Sequence, residues 1–71
     1  MTEAERVGCL IKALRKQKGY TQEELANEIF VSQSYLRQIE QGRANPTVNL
    51  VEKITTYLET LQDKEQKSER P

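Results

Sequence analysis

The sequence contains no histidine and no tryptophan, and Cys9 is its one cysteine. An internal disulfide therefore cannot form, and no histidine is present to join Cys9 in a zinc site or to act as a general base. We expect Cys9 to be a small, buried or half-buried helix residue with no reactive role. Because a Gly-rich phosphate loop and paired carboxylates in a plausible cleft are also missing, nothing favours an enzyme, a cofactor, a metal or a small-molecule ligand.

Helix breakers and long apolar runs are scarce as well. The 71 residues include three glycines and two prolines, and 35% of them are hydrophobic. No alternating run of β-branched residues predicts a strand, so the expected fold is a single small all-α bundle of four to five helices. No apolar run is long enough for a signal peptide or a membrane span, which favours a cytoplasmic protein with no membrane partner.

An excess of charge of one sign is absent too, since 11 basic and 11 acidic residues give a net charge of zero. The two signs are distributed unevenly: residues 1–19 carry more basic than acidic side chains, and residues 20–43 carry more acidic than basic ones. A solvated surface explains most such patterns. The distribution therefore permits nucleic-acid binding without indicating it.

The first helical pattern runs from about Glu3 to Lys18. Its apolar residues recur at helical spacing and form one stripe of Val7, Leu10, Ile11 and Leu14. Gly8 weakens this helix by about 1 kcal/mol relative to alanine. Gly19 is typical of a left-handed helix end.

Two short helices with almost no sequence between them follow. Thr21 and Glu24 form a capping-box pattern at the start of one, and Ser32 is the N-cap of the next, which Gly42 closes. About three residues, 29–31, therefore reverse the chain. Helices this short are not stable in isolation, so each must pack on the other and on the first helix.

A last helix is predicted to begin after the N-cap Thr47 and to reach about Gln62. Its apolar stripe is Val48, Val51, Ile54, Leu58 and Leu61, widened by Leu50 and Tyr57. Residues 63–71 contain no apolar side chain except a terminal proline, and we expect a polar, flexible tail. The predicted domain is therefore residues 1–62.

The stretch "YTQEELANEIFVSQSYLRQIEQG" resembles the helix-turn-helix domain of Cro- and phage-repressor-like (XRE-type) transcriptional regulators. The likeness extends from Leu10 to about Leu58. The T-Q-x-E-L-A run, the V-S pair after it, and the glutamate and glycine at the end of the stretch form a specific set when they occur in this order. The resemblance implies a lambda-repressor-like fold and a sequence-specific regulator that binds double-stranded DNA through the second of the two short helices.

The resemblance also implies roles for individual residues. Gln22 corresponds to a glutamine that bonds a phosphate and braces the recognition helix. Gln33, Ser34 and Gln38 match positions that reach base edges, and the Gln33 amide suits adenine. The other positions implied to contact DNA are Ser32, Tyr35, Arg37, Gln41, Arg43 and Asn45. The alternative is that these amides and hydroxyls are merely solvated.

Arg15 and Glu40 occupy positions that form an internal ion pair in the family, and we expect them to fix geometry without reading DNA. Phe30 departs from the family, where glycine is usual because the turn requires a left-handed backbone that costs other residues roughly 1–2 kcal/mol. We expect Phe30 to adopt this or a nearby conformation with its ring partly packed.

Family members bind paired half-sites as two-fold dimers. The last helix has more apolar surface than a small core needs, so we expect a homodimer through Tyr57, Leu58 and Leu61. Such a regulator would be a repressor or controller protein acting on a palindromic operator. The alternative is an antitoxin-type or adaptor protein whose main partner is another protein, with an exposed Phe30 as a contact.

Overall fold

The computed structural model describes residues 1–60, in which four α-helices and no strand occur. The helices are α1 (Glu3–Lys18), α2 (Gln22–Ile29), α3 (Gln33–Glu40) and α4 (Val48–Thr60). The prediction of a small all-α bundle is confirmed. Leu61, the predicted end of the last helix and the predicted tail of residues 63–71 lie outside the described residues.

Side-chain caps explain where the helices begin. Thr21 Oγ1 accepts from the Glu24 backbone N–H at 3.1 Å, and Glu24 Oε1 accepts from the Thr21 N–H at 3.0 Å. Ser32 Oγ accepts from the Tyr35 N–H at 3.0 Å, and Thr47 Oγ1 accepts from the Leu50 N–H at 3.1 Å. Each cap satisfies a backbone N–H that the first turn leaves without a partner.

The core draws aliphatic side chains from all four helices. The buried cluster consists of Ile11, Leu25, Ala26, Ile29, Leu36, Ile39, Ile54 and Leu58. Helix α1 packs against α3 and α4, and α2 packs against α3. Helix α3 therefore lies in contact with both α1 and α2.

Gly8 lets α1 approach α3 closely, which its sequence context did not reveal. A Cβ atom built on Gly8 would lie 2.9 Å from the Glu40 carbonyl oxygen and closer still to that of Ile39. Only a residue without a side chain fits this contact. Gly8 lowers the helix propensity of α1, but it allows the backbones of α1 and α3 to come into contact.

The structure corrects three predictions about burial, two of them on α1 and one on α4. The buried residues of α1 are Gly8, Ile11 and Arg15, so its buried face is turned away from Leu10, which is 56% exposed. Cys9 is exposed, not buried or half-buried, because it lies on the far side of the same helix. Val48 was assigned to the apolar stripe of the last helix but is 74% exposed in the first turn of α4.

Phe30 ends α2 in the left-handed conformation, with φ 63° and ψ 42°. The backbone prediction is confirmed, but the prediction of a partly packed ring is wrong, since Phe30 is 85% exposed. Burial therefore does not offset the strain. The ring instead lies under the ammonium of Lys53, with Nζ 5.3 Å from the ring centroid.

The predicted dimer residues have separate locations. Leu58 is 0% exposed and belongs to the protomer core, so its assignment to a dimer interface is corrected: it has no surface to offer a second copy. Its position one helical turn after Ile54 turns it inward. Tyr57 is partly buried against the core, with its hydroxyl beside the carboxylate of Glu28.

Candidate nucleic-acid interface

Helix α3 divides cleanly into an inner and an outer face. Leu36, Ile39 and Glu40 are buried. The side chains on the other face are all exposed, and they are Gln33, Ser34, Arg37 and Gln38. This separation follows from helical periodicity, because residues three and four apart share a face. The inner face anchors α3 to the bundle, and the outer face leaves its polar side chains available to a ligand.

The stretch of chain that contains α3 carries almost no exposed negative charge. Within residues 29–51 the only carboxylate is that of Glu40, whose side chain is 2% exposed and paired with Arg15. Arg37 and Arg43 are both exposed in the same stretch. The exposed charges of this stretch are therefore positive, which suits approach to a phosphate backbone.

Arg15 and Glu40 form a buried, two-pronged ion pair. Arg15 Nε donates to Glu40 Oε2 at 2.7 Å, and Arg15 Nη2 donates to Glu40 Oε1 at 3.0 Å. Arg15 Nη1 also donates to the Tyr20 carbonyl oxygen at 2.7 Å. One guanidinium thus joins α1, the loop before α2 and the end of α3, and so fixes how α3 lies on the bundle.

Gln22 extends this network to the start of α2. Its Nε2 donates to Glu40 Oε1 at 3.0 Å, and the residue is half-buried. An amide nitrogen carries two N–H groups, so one remains beyond the bond to Glu40. Gln22 therefore braces the end of α3 and retains one further N–H donor.

The remaining candidate residues surround α3. Ser32 is exposed at the helix start, where its hydroxyl serves as the cap and retains its own O–H donor. Tyr35 is partly buried against the core and presents only part of its ring. Gln41, Arg43 and Asn45 are exposed in the loop after α3, where Gly42 adopts a φ of 78°. Their backbone turn returns the chain to α4.

The outer face of α3 has the chemistry needed to read base edges. A glutamine amide offers a donor and an acceptor side by side, which matches adenine N7 and N6 in the major groove. An arginine offers two parallel donors, which match guanine O6 and N7. A family model described as "Helix-turn-helix" matches residues 11–61 of the chain.

The chain belongs to this family, that of the Cro- and phage-repressor-like helix-turn-helix regulators. The match covers α2, the turn and α3, so the two short helices of the structure are the helix-turn-helix of the family. The resemblance inferred from the sequence is therefore confirmed, and so is the lambda-repressor-like fold.

Several proteins are similar to this helix-turn-helix chain over most of its length. "HTH-type transcriptional regulator SinR" of Bacillus subtilis is 38% identical over 68 residues, which are 89% of this chain and 61% of SinR. "HTH-type transcriptional regulator SlrR" of the same organism is 44% identical over 54 residues, 75% of this chain and 36% of SlrR. "Immunity repressor protein" of Bacillus phage phi105 is 44% identical over 52 residues, 73% of this chain and 36% of that protein.

The chain spans between 36% and 61% of the length of these three relatives. No solved structure matches it. Within residues 1–60, no helix is long and apolar enough to cross a membrane, and no group of ligand side chains is arranged to hold a metal ion.

Three contacts around the helix-turn-helix were not foreseen from the sequence. Gly8 lies against the end of α3, Lys53 lies over Phe30, and Tyr57 lies beside Glu28. None of the three had a signal in the sequence near it, because each joins residues that are far apart in the chain. The contacts from α4 depend on how α4 crosses the bundle, which no short pattern encodes.

Proposed function

We propose that the chain is a sequence-specific regulator of transcription that binds double-stranded DNA as a homodimer on a palindromic operator. The observation that carries this proposal is the outer face of α3, where amide, hydroxyl and guanidinium groups are exposed while Glu40, the one carboxylate of this helix, is buried and paired with Arg15. In this arrangement α3 enters the major groove with its N-terminal end leading.

The base contacts come from the exposed residues of α3. Gln33 lies in the first turn and is assigned to adenine, and Ser34 and Gln38 contact neighbouring base edges on the same face. Arg37 lies one turn beyond Gln33 and contacts a guanine or a phosphate. These residues carry the sequence preference.

The phosphate contacts come from residues on either side of α3. Gln22 and Ser32 donate from the starts of α2 and α3, and Gln41, Arg43 and Asn45 donate from the following loop. Such contacts set the register of the protein on the duplex but carry no sequence information. The Arg15–Glu40 pair contacts no DNA and holds α3 at the angle that these contacts require.

Dimerisation supplies the remaining specificity. One recognition helix reads too short a sequence for a unique genomic address, whereas two copies read half-sites about 34 Å apart. With Leu58 buried, the interface is assigned to the far end of α4, with the exposed part of Tyr57 and with Leu61. The mass of the chain in solution at high concentration tests whether the dimer forms, and a monomeric mass contradicts it.

Regulation follows from occupancy of the operator and requires no enzymatic step. A bound dimer that overlaps a promoter excludes polymerase. The similarity to a protein named "Immunity repressor protein" supports repression as the sign of regulation.

The experiment that tests the proposal is a selection of bound sequences from random duplexes at two salt concentrations. We expect an enriched palindrome with two half-sites one helical turn apart, and a salt dependence that gives the number of phosphates neutralised. A Gln33→Ala/Gln38→Ala variant should lose the enrichment, whereas the control Gln17→Ala, a change of an exposed glutamine on α1, should retain it. Absence of any enriched sequence for the folded wild-type chain would refute the proposal.

A second candidate function is that of an antitoxin-type or adaptor protein, and the 85% exposure of Phe30 favours it. In that case Phe30 contacts a protein partner and DNA binding is secondary. Copurification of a specific toxin in a fixed ratio, abolished by Phe30→Ala while the duplex selection stays empty, would favour this function over the first.

A further inference from the structure

Two side chains of α4 contact the end of α2 from the same face. Lys53 and Tyr57 are four residues apart and therefore neighbours on the helix surface. The Lys53 ammonium lies 5.3 Å from the centroid of the Phe30 ring. The Tyr57 hydroxyl lies beside the carboxylate of Glu28, two residues before Phe30. Together they connect α4 to the residues at which α2 ends and the turn begins.

The turn they contact is strained. Phe30 is the one non-glycine residue with a positive φ among residues 1–60, and its exposed ring gains little from burial. A left-handed conformation is costly for such a residue and persists where the surroundings hold it. Since Ser32, the cap of α3, follows two residues later, any relaxation of this turn changes where α3 starts.

We propose that Lys53 and Tyr57 are positioning residues that hold the strained turn, and that α4 thereby sets the pose in which α3 meets DNA. This inference rests on the proposed DNA-binding function and deepens it. Neither residue contacts DNA. Loss of either contact lets the turn relax, lowers the population of the binding-competent arrangement, and weakens binding by the same factor for every sequence.

The salt dependence of binding distinguishes a lysine that positions the turn from a lysine that binds phosphate. Removal of a phosphate contact lowers the slope of log affinity against log salt by about 1, whereas removal of a positioning contact leaves the slope unchanged. Arginine retains the attraction of a cation to an aromatic face, so Lys53→Arg should bind as the wild type does. A phosphate contact would also survive this change, so the salt slope and the next test are needed together.

The decisive test is a double-mutant cycle on operator affinity, made with Lys53→Ala in the wild-type and Phe30→Gly backgrounds. Glycine has no ring and no strain in this conformation, so nothing remains for Lys53 to hold. We expect Lys53→Ala to weaken binding about two- to fivefold in the wild-type background and to have no effect in the Phe30→Gly background. Tyr57→Phe keeps the ring that is assigned to the dimer interface and removes only the hydroxyl, so it should weaken binding similarly, with unchanged base preferences and an unchanged mass in solution. Thermal melts confirm that each variant is folded at the assay temperature.

An equal loss in both backgrounds, a reduced salt slope or no loss in either background would overturn the inference. These outcomes are distinct from a failure of the proposed function. If the folded wild-type chain binds no duplex selectively, both fail; if it binds its operator and the cycle shows no coupling, the inference alone fails.

Discussion

The carboxylate of Glu40 receives both prongs of the Arg15 guanidinium, at 2.7 and 3.0 Å, across 25 residues of sequence. The two side chains are only 2% and 8% exposed. A pair so deeply buried adds little more to the free energy of unfolding than an apolar pair of the same shape. Removal of one member lowers that free energy strongly, because the other is left buried without its partner. The pair therefore specifies the position of α3 more than it stabilises the fold.

Replacement of Arg15 by methionine should lower the free energy of unfolding by about 3–5 kcal/mol, because Glu40 is left buried without its cation. Urea denaturation measures the change. The control is Lys16→Met, which makes the same kind of change at an exposed position and should shift the free energy by less than about 0.5 kcal/mol. Equal stabilities of wild type and Arg15→Met would argue against a structural role for the pair.

Gly8→Ala should destabilise the chain even though alanine is the better helix former. The new Cβ meets the backbone carbonyls of Ile39 and Glu40, which cannot move aside as a side chain would. We expect a net loss of about 1–2 kcal/mol, since overpacking outweighs the gain of about 1 kcal/mol in helix propensity. The neighbouring exposed position supplies the control, Cys9→Ala, which should be nearly neutral. A stabilised Gly8→Ala protein would show that the two helices are not in such close contact.

Phe30→Gly should raise the free energy of unfolding by about 1 kcal/mol. Glycine adopts a φ of 63° without strain, and little buried surface is lost with an 85% exposed ring. The matched control is Ala13→Gly at an exposed position within α1, which should lower stability by about 1 kcal/mol. A loss of several kcal/mol in Phe30→Gly would mean that the ring is packed in solution.

Tyr57 should make stability fall at high pH. Burial, followed by the hydrogen bond with Glu28, raises the pKa of Tyr57 from 10.0 to about 12. Because the folded pKa lies above the unfolded one, the contribution of the neutral phenol is present below pH 10.0 and is lost as the pH rises towards 12. Urea denaturation between pH 9 and pH 12 should show a shallower decline for Tyr57→Phe than for the wild type. Parallel declines would remove Tyr57 as the cause.

The helix starts were predictable from sequence because capping is local. Thr21, Ser32 and Thr47 each bond a backbone N–H three residues later, and those residues are visible in any short window. The left-handed Phe30 was predicted as well, from the resemblance to a family in which glycine is usual at this position.

Burial was predicted less well, because the buried side of an amphipathic helix depends on its neighbours. Leu10 and Leu58 both lie in periodic apolar stripes, yet one is exposed and the other is core. The close approach at Gly8 rotates the buried face of α1 towards Arg15, and that approach involves α3, more than 30 residues away. Likewise, Lys53 and Tyr57 gave no sign of their contacts with the end of α2.

The candidate interface was inferred from family resemblance and not from any property of an isolated side chain. Exposed amides such as Gln33 and Gln38 occur on many helices. The structure adds that both lie on the outer face of α3 and that Glu40, the one carboxylate of this helix, is buried and paired with Arg15. DNA contact by these residues remains a prediction.

The most direct test of whether α3 reads bases with its outer face is a comparison of affinities. The affinities of wild type and Gln33→Ala are measured for the selected operator and for every single-base variant of its half-site. We predict that Gln33→Ala loses about 1–3 kcal/mol of discrimination at one base pair per half-site and keeps it at the others. The control Gln17→Ala should match the wild type at every position. If Gln33→Ala retained the complete base preference of the wild type, this would contradict the proposal that α3 reads DNA with its outer face.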